Sequence, residues 1–231
     1  MDLKYQEIAK TIDHAILRPS TTDAEIDEGC ALSRRLGVAS VCVVPHGLRR
    51  CSELLAGSGV HASTTIGFPH GGHTTRVKAR EAEQALADGG QELDMVVNIG
   101  KVLSKDNTYV SREIAEVLRI TRAGGAKLKV IFENCYLQEA HKLALLAICS
   151  ELGVDWVKTS TGFGSSGATP DDVRLMRAKT PAHVQVKASG GIRSLAQVLE
   201  LRALGASRVG SSSTEAILAE AAARVSRANQ K

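Results

Sequence analysis

Eight short runs rich in β-branched and small residues, each followed by a stretch with helical start and stop signals, constrain the fold of this 231-residue chain more than any other feature. They are TIDHAIL (11–17), ASVCVVP (39–45), HASTTIGFP (61–69), ELDMVVN (92–98), KLKVIFE (127–133), DWVKTST (155–161), HVQVKAS (183–189) and SRVGSSS (207–213). Strands that are largely apolar along their length must be covered on both faces, which is the pattern of a parallel sheet wrapped by helices. The intervening helices begin recognisably: Thr22 and Glu25 form a capping box, and Thr169, Pro170, Asp171 and Asp172 supply a cap, a first-turn proline and first-turn acids. Eight strand–helix units predict an α/β fold, a TIM (β/α)8 barrel with eight parallel strands. An open doubly wound sheet competes with it, and requires 11–17 and 61–69 not to be strands. No linker or repeat interrupts the pattern, so residues 1–231 read as a single barrel domain, for which 43% hydrophobic content provides an ample core.

Charge and cysteine usage narrow the function classes. The net charge of +4 arises from 29 basic and 25 acidic residues spread along the chain without a block of like sign, which points away from a nucleic-acid partner. Five cysteines, an odd number without a CxxC pair, fit neither a disulfide framework nor a zinc cage. No segment approaches eighteen consecutive apolar residues, and the first residues lack the apolar core of a signal peptide. The expectation is a soluble, cytoplasmic protein with no membrane partner.

Two of the strand-like runs carry a lysine and end in small polar residues and glycine: Lys158 in DWVKTSTGFG and Lys187 in VQVKASGGIR. Strand period two puts Trp156, Lys158 and Ser160 on one face, and Gln185, Lys187 and Ser189 on one face of the next run. If both faces point inward, the amines converge. A strand lysine alone is usually a structural ion-pair partner or a snorkelling rim residue. Two on neighbouring strands point instead to amine catalysis, because burial and a nearby cation keep one amine unprotonated and nucleophilic.

Asp94 is a third polar intrusion, set among Leu93, Met95, Val96 and Val97. It reads either as a salt-bridge partner fixing the interior or as a general acid/base tuned by the lysines. The glycine-serine stretches Ser189–Gly190–Gly191 and Gly210–Ser211–Ser212–Ser213 end the seventh and eighth runs, where barrels of this class bind phosphate. They also serve as tight turns and helix caps. His70 and His73 have ligand-like spacing, but they lie in a glycine loop with only Glu133 as a third ligand, so no metal is expected. Asp13 and His14 close the first run and either orient water or substrate hydroxyls or make a barrel-mouth hydrogen bond. Cys42 reads as a small buried hydrophobe.

Together, IDHAIL, SVCVVP, IGFPHGG, ELDMVVNIG, LKVIFE, VKTSTGF, GATPDDVRLMR, VKASGGIR and RVGSSS resemble the deoxyribose-phosphate aldolase family from about residue 12 to residue 217. The resemblance implies reversible cleavage of 2-deoxy-D-ribose 5-phosphate to acetaldehyde and D-glyceraldehyde 3-phosphate in deoxynucleoside breakdown, without metal or organic cofactor. It makes Lys158 the Schiff-base lysine, Lys187 the amine that lowers its pKa and Asp94 the carboxylate of the proton relay. Gly190, Gly191, Gly210, Ser212 and Ser213 would hold the phosphate. It also implies small sugar phosphates and aldehydes as partners and a homo-oligomer, a dimer. The chain departs from the family at Ala15 and Arg18, where threonine and lysine are common, at Phe163, where some members have lysine, and in lacking a C-terminal tyrosine. Another phosphate-binding Schiff-base barrel, of the transaldolase or fructose-bisphosphate aldolase kind, and a catalytically silent sugar-phosphate sensor are the competing functions.

Overall fold

A computed structural model describes residues 4–228. Eight strands pair in chain order, all parallel: β1 (Ile12–Ile16), β2 (Ser40–Val43), β3 (His61–Ile66), β4 (Glu92–Val96), β5 (Lys127–Ile131), β6 (Trp156–Lys158), β7 (Gln185–Ser189) and β8 (Ala206–Ser211). The sheet closes because β8 pairs with β1 through Ile12 and Val209, Asp13 and Gly210, and His14 and Ser211. That closure rules out the open doubly wound sheet.

Helix α1 (Tyr5–Ala9) precedes β1. The outer ring comprises α2 (Asp23–Leu36), α3 (Leu48–Leu55), α4 (Thr75–Ala87), α5 (Ile99–Leu103), α6 (Asn107–Ala123), α7 (Glu139–Leu152), α8 (Pro170–Lys179), α9 (Leu195–Ala203) and α10 (Thr214–Ala228). The sequence signals act where expected. Thr22 and Glu25 make the reciprocal capping box of α2, and the Thr169 side chain accepts from the Asp172 N–H ahead of Pro170 in α8. Each device satisfies backbone N–H groups that a helix leaves unpaired at its start. Among the described residues, no helix is long and apolar enough to cross a membrane.

Period-two alternation divides the buried apolar residues into two sets. Val41, Val43, Leu93, Met95, Leu128, Val130, Val157 and Val186 belong to the cluster between sheet and helices. Cys42, Val96, Ile131 and Trp156 are equally buried but lie outside that cluster, in the lumen. Trp156 opens β6, so its ring fills the lumen near the N-terminal ends of the strands; its Nε1 donates to Ser207 Oγ at 3.0 Å. The cationic groups of Lys127, Lys129 and Arg208 lie 5.1 to 5.8 Å from the ring centre, a favourable use of its negative face. A register shift makes Val186 pair with Ala206 and Lys187 with Arg208, leaving one extra residue in β8. This bulge turns both Ser207 and Arg208 toward the lumen.

The strands are shorter than the sequence runs, and the difference forms the loops of the barrel mouth. In β6 the ladder stops at Lys158, yet the Thr159 N–H still donates to the Lys187 carbonyl at 3.1 Å. The residues of TSTGFG then turn across the top of the barrel.

Candidate active site

The lumen holds a compact ionic cluster rather than a set of isolated charges. Lys158 and Lys187 are register partners on β6 and β7, so the two amines converge as the alternation requires. Both donate to the same oxygen, Oδ2 of Asp94, at 2.6 and 2.7 Å. Asp94 Oδ1 accepts from Lys129 at 2.8 Å, and Lys129 also meets Glu92 Oε2 at 2.6 Å. Asp13 Oδ2 lies 2.6 Å from the Lys187 amine, although off its hydrogen-bonding line, and Asp13 Oδ1 accepts from Arg208. Arg208 reaches Glu92 as well, at 2.8 Å, and His61 Nδ1 lies 2.8 Å from the same carboxylate. Asp13, Glu92, Asp94 and Lys129 have no exposed surface, and Lys158 and Lys187 are 3% and 1% exposed.

Pairing makes this burial tolerable, since an isolated ion in such a place would cost several kcal/mol. The pairing is uneven, because four cations face three carboxylates. The electrostatics identify the cation least supported by its neighbours. Burial drives the Lys158 amine below the ordinary lysine value; Asp94 pulls it back and the positive charge of Lys187 pushes it further down. Lys187 and Lys129 are just as buried, but their carboxylate partners outweigh the burial and hold both above the ordinary value. Burial would raise Asp94, yet Lys129, Lys158 and Lys187 together hold it well below the usual carboxylate range. The cluster therefore contains one amine whose pKa is lowered, one whose pKa is raised and, between them, one carboxylate held in its ionised form. Both lysines are ion-paired, and it is the inequality of the pairing that separates them.

A cavity of about 820 Å³ opens above the cluster and reaches Lys158, Lys187, Asp13 and Cys42. Gly190, Gly191, Gly210 and Ser212 line it, with Arg18, Arg193 and Phe163 also on its wall. Ser213 is not part of that wall; its N–H is taken by the Ser211 hydroxyl at 3.0 Å, and Ser211 itself lines the cavity. Gly190 has φ of 91°, and a Cβ there would stand 2.8 Å from the Gly167 backbone, so only glycine lets the β6 and β7 loops meet. The Cys42 thiol faces the lumen, where burial and then Asp94 push it up, so it stays protonated. His14 divides from Asp13: it points away from the lumen, shares a 2.8 Å hydrogen bond with Thr214 Oγ1, and burial lowers it to about 4, leaving it neutral. His70 and His73 do not converge with Glu133, whose carboxylate accepts from Thr161. Among the described residues, no group of three or more His, Cys, Asp or Glu side chains has the geometry of a metal site.

Sequence reasoning passed over Lys129, Glu92 and Arg208. A signal was there: Glu92 and Asp94 are two apart in one run, and Lys129 occupies the same face of the next, where it pairs in register with Asp94. Arg208 carried no such signal, because the bulge that turns it inward is a property of the closed sheet.

Comparison with known proteins agrees with this architecture. The chain is 59% identical over 220 residues to a deoxyribose-phosphate aldolase of Rhodopirellula baltica, covering 95% of this chain and 91% of the relative. It is 45% identical over 213 residues to a deoxyribose-phosphate aldolase of Thermococcus kodakarensis, covering 91% and 95%. A structure of deoxyribose phosphate aldolase from Aeropyrum pernix, described as a unique tetramer, superposes with a TM-score of 0.88 at 30% identity over 94% of this chain and 92% of its own. The sequence model of the DeoC/LacD family aldolases matches residues 7–218, and the chain belongs to that family.

Proposed function

We propose that the protein is a class I aldolase that reversibly cleaves 2-deoxy-D-ribose 5-phosphate into acetaldehyde and D-glyceraldehyde 3-phosphate, with Lys158 as the imine-forming residue. The observation that carries this reading is the unequal pairing in the lumen: Lys158 is the lumen cation whose pKa moves down, at the floor of a cavity with glycine-rich loops on its wall.

The unprotonated Lys158 amine adds to the C1 aldehyde of the open-chain sugar, and loss of water gives a protonated imine. Cleavage of the C2–C3 bond sends its electron pair toward the iminium, forming a neutral enamine instead of a carbanion. The proton leaving the C3 hydroxyl passes to a water bound beside the Asp94–Lys187 pair, and C3 becomes the aldehyde of the departing triose phosphate. The same relay returns a proton to C2, and hydrolysis releases acetaldehyde and Lys158. Asp94 is too acidic to be a strong base, so its contribution is to orient the water and hold the two amines apart in character. Lys187 keeps its charge and thereby keeps Lys158 available. Gly190, Gly191, Gly210 and Ser212 receive the phosphate through backbone N–H groups and a hydroxyl, with Ser213 behind them at the start of α10.

The whole barrel acts as one catalytic domain. Five free thiols, four of them buried, suit a reducing cytoplasm. A homo-oligomer, at least a dimer, is in keeping with the tetramer described for the A. pernix relative. Incubation with 2-deoxyribose 5-phosphate, followed by separate assays for acetaldehyde and for glyceraldehyde 3-phosphate, tests the reaction. Equal release of both is expected; release of a three-carbon ketone phosphate or of no product contradicts it.

A further inference from the structure

Glu133 stands apart from the ionic cluster and from the steps just described, yet its backbone and side chain are both unusual. It follows β5 with φ of 56° and ψ of 65°, a left-handed conformation that non-glycine residues rarely adopt, and it is 2% exposed. Such a conformation persists where the surroundings fix it.

What the carboxyl group does there can be followed atom by atom. Its two oxygens accept from the Thr161 N–H at 3.2 and 3.3 Å, and Oε2 also accepts from the Thr161 hydroxyl. The Thr161 oxygen in turn accepts from the Phe163 N–H at 3.0 Å. Gly164 packs so closely that a Cβ there would lie 3.1 Å from the Glu133 carboxyl carbon. The β6 loop beginning at Thr161 is thus tied to the end of β5 by one side chain. That loop is the backing of the β7 glycines: Gly162 and Gly167 both lie against Gly190, and the Ala168 N–H donates to the carbonyls of Ser189 and Gly190 at 2.9 and 3.2 Å. Phe163 meets Phe68 edge-on at 5.4 Å, which extends the tie to the β3 loop.

We propose that Glu133 is a positioning residue for the phosphate end of the site, acting through Thr161 and the β6 loop on Gly190 and Gly191, with no part in the imine chemistry at Lys158. The inference rests on the aldolase reading for its substrate and adds to it the source of preference for a phosphorylated over an unphosphorylated sugar.

The test compares Glu133→Ala and Glu133→Gln with wild type on 2-deoxyribose 5-phosphate and on 2-deoxyribose. For Glu133→Ala, KM for the phosphorylated sugar is expected to rise about tenfold or more, the scale of one lost buried hydrogen-bonding partner. Its kcat, and kcat/KM for the unphosphorylated sugar, should stay within about threefold, and Glu133→Gln, which retains an acceptor for Thr161, should recover most of the loss. A merely structural role would lower both substrates by the same factor, and that result overturns the proposal, as does an unchanged KM. Affinity for inorganic phosphate, measured by calorimetry, reads the same device without turnover. It should weaken in Glu133→Ala and in Thr161→Val, and equal affinity in folded variants overturns the inference even if the wild type proves to cleave a different sugar phosphate.

Discussion

Lys158 and Lys187 both lie within hydrogen-bonding distance of Asp94, yet the three groups differ in protonation behaviour, and the difference comes from how many opposite charges each one meets. Lys158 has a single carboxylate oxygen; Lys187 has that oxygen and Asp13. Two predictions belong to these side chains. Lys158→Ala should reduce kcat by about four orders of magnitude or more while circular dichroism remains that of wild type, because no neighbouring amine combines lowered pKa with access to the cavity. Lys187→Leu should move the acid limb of the kcat/KM profile upward by about one pH unit. In the proposed reaction the unprotonated form of Lys158 reacts, removal of a nearby cation raises its pKa, and a higher pKa demands a higher pH. An acid limb that stays in place would assign the lowered pKa to burial alone. At this scale the sequence was informative about the residues that break a local rule. Lysine in a β-branched run and aspartate in an apolar one were conspicuous; their partners were less so, because Lys129 and Glu92 look like ordinary alternating polar positions until the barrel closes.

Elements contribute by holding backbone in place at the barrel mouth. Lys78 in α4 and Glu113 in α6 form a wholly buried pair at 2.9 Å, and they also grip the strand end between them. The Lys78 amine donates to the Val96 carbonyl at 2.8 Å, and Glu113 accepts from the Asn98 N–H at 3.0 Å. Burial lowers Lys78 and raises Glu113, so the pair is held at the expense of hydration and is sensitive to the loss of either member. Lys78→Met is therefore expected to destabilise the protein by about 3–5 kcal/mol in urea unfolding. The double variant with Glu113→Leu should recover a large part of that loss, and additive effects in the cycle would contradict a direct coupling. Strand and helix order, and the caps at Thr22 and Thr169, were legible because hydrophobic periodicity and capping chemistry are local. Strand ends were not. In TSTGFG the β-branched character continues past the ladder at Thr159 and Thr161, and only the packing of one loop on another decides where pairing stops. The bulge that delivers Arg208 is of the same kind.

The molecule as a whole is a closed sheet whose lumen is filled by Trp156 near the N-terminal ends of the strands, carries the ionic cluster above it, and opens from that cluster into the cavity. Asp13, Glu92 and Asp94 all have pKa values depressed by the surrounding cations, although burial alone would raise each. A depressed carboxylate contributes stability that is fully present above its unfolded value and is lost as pH falls through its folded value. The melting temperature is thus expected to hold between about pH 5 and 7 and to fall steeply below about pH 4, where the unfolded chain takes up protons that the folded lumen excludes. A gradual decline beginning near pH 6 would point instead to histidine titration. In the proposed reaction the same cluster that makes the barrel vulnerable to acid tunes Lys158, so fold stability and chemistry would share one set of ion pairs. We propose that this set of ion pairs leaves Lys158, and not Lys187 or Lys129, as the nucleophile. Incubation with 2-deoxyribose 5-phosphate and borohydride, followed by mass-spectrometric mapping of the reduced adduct, tests it most directly. A single adduct on Lys158 is expected; an adduct on Lys187, or none while substrate is being turned over, rules Lys158 out as the nucleophile.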